Sequence, residues 1–244
     1  MKQIQMDIPE LPYAVEEALN RLRVNIKFCG KNTKKILITS SVPGEGKSTV
    51  AVQLWKMLAE AGFKAVLVDT DLRKSVLKDR VRFKSEKDIK DLRYYLSGLA
   101  EYEEIVYETD IENGYIVPVI STLENPSSML EDARLGQLFE HLSAEYRYII
   151  VDSPPLDSVS DGSLVAPFCD GALFIVRSGI TSRKLVRASL RQLERTGCRL
   201  LGIVLNRVEV KSRAYKKYYG KYGENYYSYY GTEKSPKNQH ERKG

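Results

Sequence analysis

The chain has 244 residues, 43% of them hydrophobic. That suffices for one large α/β domain with a single core and is too short for two ordinary domains plus a tail. Its charge of +6 is all in residues 211–244, with nine basic and three acidic side chains; the other 29 basic and 29 acidic residues balance, so any basic arm is the tail. Cys29, Cys169 and Cys198 are odd in number, widely spaced and without histidine clusters. They argue against a disulfide framework or zinc site and read as reduced, mostly buried thiols.

The opening "MKQIQMDIPELPY" has no apolar signal core, and no apolar run approaches the roughly 18 residues of a membrane-spanning helix, so a cytoplasmic protein is expected. Residues 12–30 carry apolar side chains at helical spacing, with Gly30 at the C-cap. A strand over 34–41, a helix over 47–61 and strands over 64–71 and 115–121 follow. Then come a helix over 127–145, a strand over 146–154, a helix over 159–168, a strand over 171–178, a helix over 181–197 and a strand over 199–208. Short β-rich runs apolar on both faces, alternating with helices, predict a mostly parallel central sheet with helices on both faces, a three-layer α/β fold. Past about residue 211 Lys, Gly, Tyr, Ser and Asn dominate, which predicts a globular domain over 1–210 and a flexible Tyr-rich tail over 211–244.

"SVPGEGKST" (41–49) stands between the first predicted strand and a helix. Pro43, Gly44, Glu45 and Gly46 form a loop whose amides close around phosphate oxygens. Lys47 would reach the β- and γ-phosphates, and Ser48, followed by Thr49, would offer a hydroxyl to Mg²⁺. Ser41 replaces the first glycine of the strict pattern. The plainer alternative is a glycine-rich turn capping a helix.

"VLVDTDLRK" ends the next strand with Asp69 and Asp71 two residues apart, on one side of the sheet at its carboxyl edge. "YIIVDSPP" brings Asp152 to the same edge, where a carboxylate holds a metal or its water shell. Any one of these could be only a turn former, but together with the GKS loop they predict a Mg–ATP site. The acceptor decides the activity: water makes an ATPase, a phenol a tyrosine kinase. Eight of the 16 tyrosines fall in "YKKYYGKYGENYYSYYG" (215–231): Tyr215, Tyr218, Tyr219, Tyr222, Tyr226, Tyr227, Tyr229 and Tyr230.

These motifs, with "NPSSML" (125–130), "GIVLNRV" (202–208) and the tyrosine cluster, resemble the bacterial tyrosine kinases of capsule and exopolysaccharide operons, in their short cytoplasmic Gram-positive form. The resemblance spans nearly the whole chain and implies a P-loop NTPase-like kinase that uses ATP and Mg²⁺ and phosphorylates its own C-terminal tyrosines. It implies Asp69 as the base facing the tyrosine hydroxyl, Asp71 and Asp152 as organisers of Mg²⁺, and Arg73 as the family's arginine after the aspartate pair. Asn206 and Arg207 match a segment near adenine. Val42 stands where the related MinD and ParA ATPases carry an extra lysine.

The family's self-assembly motif aligns with Glu17, Asn20 and Arg23, with asparagine for its first arginine. A homo-oligomer is therefore implied for the unphosphorylated state. The resemblance also implies a membrane adaptor whose cytoplasmic C-terminal segment activates the kinase and recruits it to the inner face of the membrane, a tyrosine phosphatase and other protein substrates. A non-kinase ATPase or scaffold of the polysaccharide machinery is the alternative. Nucleic acid is not expected, although lysines interleaved with aromatics can bind single strands. Three or four phosphates, at about −1.5 to −2 each, would cancel the tail's charge.

Overall fold

A computed structural model describes residues 3–77, 81–82, 89–157 and 160–208. In chain order the elements are β1 Gln3–Met6, α1 Tyr13–Phe28, β2 Lys35–Ser40, α2 Lys47–Glu60, β3 Ala65–Asp69 and β4 Val81–Arg82. Next are α3 Leu92–Leu96, α4 Tyr102–Ile105, β5 Tyr107–Thr109, β6 Gly114–Val117, α5 Ser127–Leu130 and α6 Ala133–Glu145. The last are β7 Tyr148–Asp152, α7 Asp161–Val165 with a 3-10 turn at Ala166–Phe168, β8 Gly171–Arg177, α8 Arg183–Arg195 and β9 Leu200–Asn206. The sheet order is β4-β1-β5-β6-β3-β7-β2-β8-β9, and pairing is parallel except at β1–β4 and β5–β6. Residues up to Asn206 form one unit and Arg207–Gly244 another. The tail tyrosines lie outside the described residues.

Both sheet faces are buried, as the apolar runs predicted. Leu37, Val66, Val68, Ile149, Val151, Phe174 and Val176 point to the side covered by α3, α6, α7 and α8. Ile36, Ile38, Leu67, Ile150, Leu173 and Ile175 point to the side covered by α1 and α2. This two-sided burial is what makes the middle strands read as continuous apolar runs. No described helix is long and apolar enough to cross a membrane. Cys169 and Cys198 are buried, Cys29 is half-buried, and all three are free thiols.

Several boundaries differ from expectation. The helix expected over 127–145 breaks at Glu131 and Asp132: Asp132 is extended, at ψ 141°, and its carboxylate accepts from Arg134 N, capping α6. Apolar spacing continues across the break and hides it from the sequence. The strand expected over 115–121 stops at Val117, because Ile120 N donates to Asp91 at 2.8 Å and Pro118 O accepts from Leu92 N. The helix expected over 159–168 is a short α7 followed by the 3-10 turn. The expected Gly30 lies one residue beyond the Cys29 cap, at φ 114°.

Trp55, the single tryptophan, lies on α2 with no exposed surface and donates from Nε1 to Ala65 O at 3.1 Å. It fills the space against β6, where a Cβ on Gly114 would stand 2.8 Å from its ring and 3.0 Å from Ile111 O. Gly114→Ala should therefore overpack this face and cost about 1–3 kcal/mol. Urea unfolding followed by Trp55 fluorescence measures it, and an unchanged midpoint would contradict the close approach.

Candidate active site

The sheet brings the three predicted motifs to one edge. Strand β7 lies between β3 and β2, so Asp152 is registered with Asp69 on one side and with Ile38 on the other. After β2 the chain crosses to β3, and after β7 it passes to β8 on the far side of β2. Ligands of open parallel sheets bind outside the carboxyl ends at such a reversal.

The loop after β2 holds Gly44 at φ 81° and Gly46 at φ 92°, left-handed conformations that glycine adopts without strain. Pro43 and Gly44 are exposed at its tip, and Thr49 is half-buried on the first turn of α2. The Glu45 side chain turns away from the tip: it accepts from Val42 N at 2.9 Å, Arg177 N at 3.0 Å and Thr181 Oγ1 at 2.5 Å. It clamps the loop to the end of β8, and the two partners there, more than 130 residues distant in sequence, carry no local signal of this. Asn206 Nδ2 donates to Glu45 O at 2.8 Å, and a Cβ on Gly46 would stand 2.2 Å from that same nitrogen. Arg207, at φ 54°, follows the end of β9.

Lys47 Nζ lies 3.3 Å from Asp71 Oδ2 and 3.4 Å from Ser48 Oγ. Burial pulls its pKa down, but the charges of Asp152, Asp71 and Asp69 outweigh that and raise it. Asp69 is fully buried; desolvation, then the charge of Asp152, pushes its carboxyl well above the usual range. It accepts from Asp71 N at 3.0 Å and from the Ser75 hydroxyl. Asp71 Oδ1 accepts from Lys74 N, and Thr70 ties the turn to Asp152 O through both N and Oγ1.

Arg73 is drawn elsewhere. Its Nε and Nη2 donate to the two carboxylate oxygens of Asp161 at 2.5 and 3.2 Å, Nη1 donates to Glu124 O at 2.6 Å, and Nη2 also reaches Ser127 Oγ. Ser127 Oγ donates to Asp161 at 2.8 Å. The arginine thus pins the aspartate turn to the "NPSSML" segment and α7. Asp161, Ser127, Ser75 and Thr181 are site-bracing residues that sequence reasoning missed.

Among the described residues no group of three or more His, Cys, Asp or Glu forms a metal cage by itself. The donor set instead fits magnesium, which is held by one or two carboxylates together with phosphate oxygens and water. Ser48, Asp71 and Asp152 would hold it. Such a cation would offset the close approach of Asp69, Asp71 and Asp152, which share the edge with Lys47.

A family model described as an AAA domain matches residues 33–167. The tyrosine-protein kinase CpsD of Streptococcus agalactiae is 39% identical over 208 residues, covering 85% of this chain and 90% of CpsD. The chain belongs to the bacterial protein-tyrosine kinases. Two solved structures agree with this placement. The chimerical protein CapA2B2 superposes with a TM-score of 0.74 at 29% identity, over 85% of this chain and 93% of its own. The kinase domain of Escherichia coli tyrosine kinase ETK superposes with a TM-score of 0.70 at 27% identity, over 81% and 78%. The P-loop kinase fold and tyrosine-kinase membership expected from the motifs are thereby established.

Within this kinase the Arg73–Asp161 pair makes a separate stability prediction. Arg73→Ala leaves a carboxylate that is 1% exposed without its guanidinium, and should cost about 1–3 kcal/mol. In an Asp161→Ala background the same change should cost much less. A double-mutant cycle by urea denaturation reads the coupling, and additive losses would deny it.

Proposed function

We propose that this kinase binds Mg–ATP at the 41–49 loop and phosphorylates tyrosine phenols, among them Tyr215, Tyr218, Tyr219, Tyr222, Tyr226, Tyr227, Tyr229 and Tyr230 of its own tail or a neighbour's. The observation that carries the reading is the convergence of Lys47, Asp69, Asp71 and Asp152 beside a glycine loop at the end of β2. The bound nucleotide supplies the transferable phosphoryl group. Lys47 offsets negative charge on the phosphates, and Ser48, Asp71 and Asp152 organise the cation. Asp69 accepts the phenol proton at its carboxylate, a role supported by the Ser75 hydroxyl that already donates there. Arg73 positions the aspartate turn through Asp161. Asn206, with Arg207 beside it, flanks the base while holding the loop at Glu45 O.

The names of the relatives support a role in capsular or exopolysaccharide production. In that role the cytoplasmic C-terminal segment of a membrane adaptor activates the kinase and holds it at the inner face of the membrane. The unphosphorylated protein self-associates through α1, where Arg23 Nε donates to Asn20 Oδ1 at 3.3 Å one turn away and Glu17 precedes them. A cognate phosphatase resets the tail, and other proteins serve as further substrates.

The test is incubation of purified protein with Mg–ATP, with and without the adaptor segment, followed by blotting for phosphotyrosine. Signal should appear in the native protein and vanish with Lys47→Met. With all eight tail tyrosines changed to phenylalanine, self-labelling should fall while a synthetic 215–231 peptide is still labelled. Absence of phosphotyrosine in every condition would leave an ATPase or scaffold.

A further inference from the structure

The outer face of α8 carries an arginine ladder. Arg183, Arg187, Arg191 and Arg195 recur at every fourth residue, with Lys184 beside the first. All five are exposed, and among the described residues none forms an ion pair. Arg199 continues the spacing past the helix but is occupied, donating to Cys29 O and Thr33 Oγ1. Residues 183–199 hold six basic side chains and one acidic, whereas the rest of residues 1–210 holds 23 basic and 28 acidic. The neutrality of the body therefore hides a segregation of charge, +5 on this short stretch against −5 elsewhere.

The orientation of the ladder follows from the packing. Leu193 is buried in the core and Val186 and Leu190 pack against it, while Gln192 Nε2 donates to Ser163 Oγ at 3.0 Å and turns that flank toward α7. The arginines occupy the opposite flank and the crest, on the side of edge strand β9, and span about 18 Å along the helix axis. Ile203 and Leu205 are registered with Phe174 and Val176, so they face the same side of the sheet as α8, yet each is 51% exposed. Ile180, just ahead of the helix, is 68% exposed. Cations on α8 and exposed apolar side chains on β9 and just ahead of the helix thus lie on one side of the sheet.

We propose that this surface rests on an anionic lipid leaflet, with the ladder paired to headgroup phosphates and Ile180, Ile203 and Leu205 set among the headgroups. Guanidinium forks match phosphate oxygens in pairs. An exposed row of evenly repeated identical charges suits a planar array of identical groups, where a single acidic ligand would need a walled site. No aromatic side chain interrupts the row to stack on bases, which disfavours single-stranded nucleic acid. Basic amphipathic helices with adjacent apolar residues bind membranes in this way. The contact requires neither adaptor nor nucleotide, so it stands or falls separately from phosphoryl transfer.

The experiment uses the full chain without nucleotide, so that the tail keeps the same charge throughout. Co-sedimentation is measured with vesicles of phosphatidylcholine alone or mixed with phosphatidylglycerol. The native protein should partition onto the anionic vesicles and be released by salt. Arg187→Gln with Arg191→Gln should weaken that partitioning about 30-fold, with an unchanged melting temperature and unchanged labelling of a soluble tyrosine peptide. Equal partitioning of native and variant protein would assign the binding to the tail and overturn the proposal. A variant that leaves vesicle binding intact but changes the mass in light scattering would make the face a protein interface and overturn it as well.

Discussion

Asp69 and Asp152 stand opposite each other at the carboxyl ends of two adjacent parallel strands, and among the described residues the ammonium placed beside them, Lys47, is already paired to Asp71. Burying like charges side by side is unfavourable unless a rigid frame prevents them from separating. Here the frame is the β3–β7–β2 pairing, which is parallel and covered on both faces. Burial first, and then the charge of Asp152, pushes the Asp69 carboxyl above its usual range. A divalent cation at the same edge would offset that charge, so the site is built to gain most when charge of the opposite sign arrives.

Besides Asp152, five acidic residues are buried around this edge, and their partners divide them into two kinds. Glu45, Asp91 and Asp161 receive donors from distant parts of the chain: Arg177 N and Thr181 for Glu45, Ile120 N for Asp91, Arg73 and Ser127 for Asp161. Glu45 and Asp91 thereby supply acceptors to backbone N–H groups, Asp161 joins two side chains, and all three hold loops in place. Asp69 and Asp71 receive donors from their own turn, namely Asp71 N, Ser75 and Lys74 N, and Lys47 donates to Asp71 as well. A carboxylate satisfied locally can exchange its partner without unfolding a loop. That is the property expected of the residues that meet substrate and metal, and its absence is what makes Glu45 and Asp161 braces.

The central strands and longer helices were legible because two-sided burial leaves continuous apolar runs and α2, α6 and α8 keep helical spacing. Strands β1 and β4 and helices α3 and α4 were not, since two to five residues are too few for a period to show. The loop and the aspartates were legible because their chemistry depends on local spacing: glycines two apart, carboxylates two apart, a lysine before a serine. Arg73 shows where this ends. Its neighbours in sequence place it in the site, while its partner, Asp161, is 88 residues away at the start of α7. Glu45 is the same case, a loop residue whose side chain answers to β8.

Strand β9 is at the edge of the sheet and half-exposed along much of its length, yet its last residue reaches the centre of the site. Asn206 donates to the loop at Glu45 O, its own carbonyl accepts from Ser178 N, and its side chain fills the space that a Cβ on Gly46 would need. The left-handed glycine and the end of β9 therefore require each other: a side chain at position 46 would displace Asn206, and loss of the β9 register would leave the loop carbonyl without its donor. Pairing along β8, from Leu200 through to Asn206, transmits that requirement down the whole strand. The 41–49 loop is thus held from the interior by β2 and from the edge by β8 and β9, so disturbance of the outer strand reaches the proposed nucleotide site through the Asn206 amide.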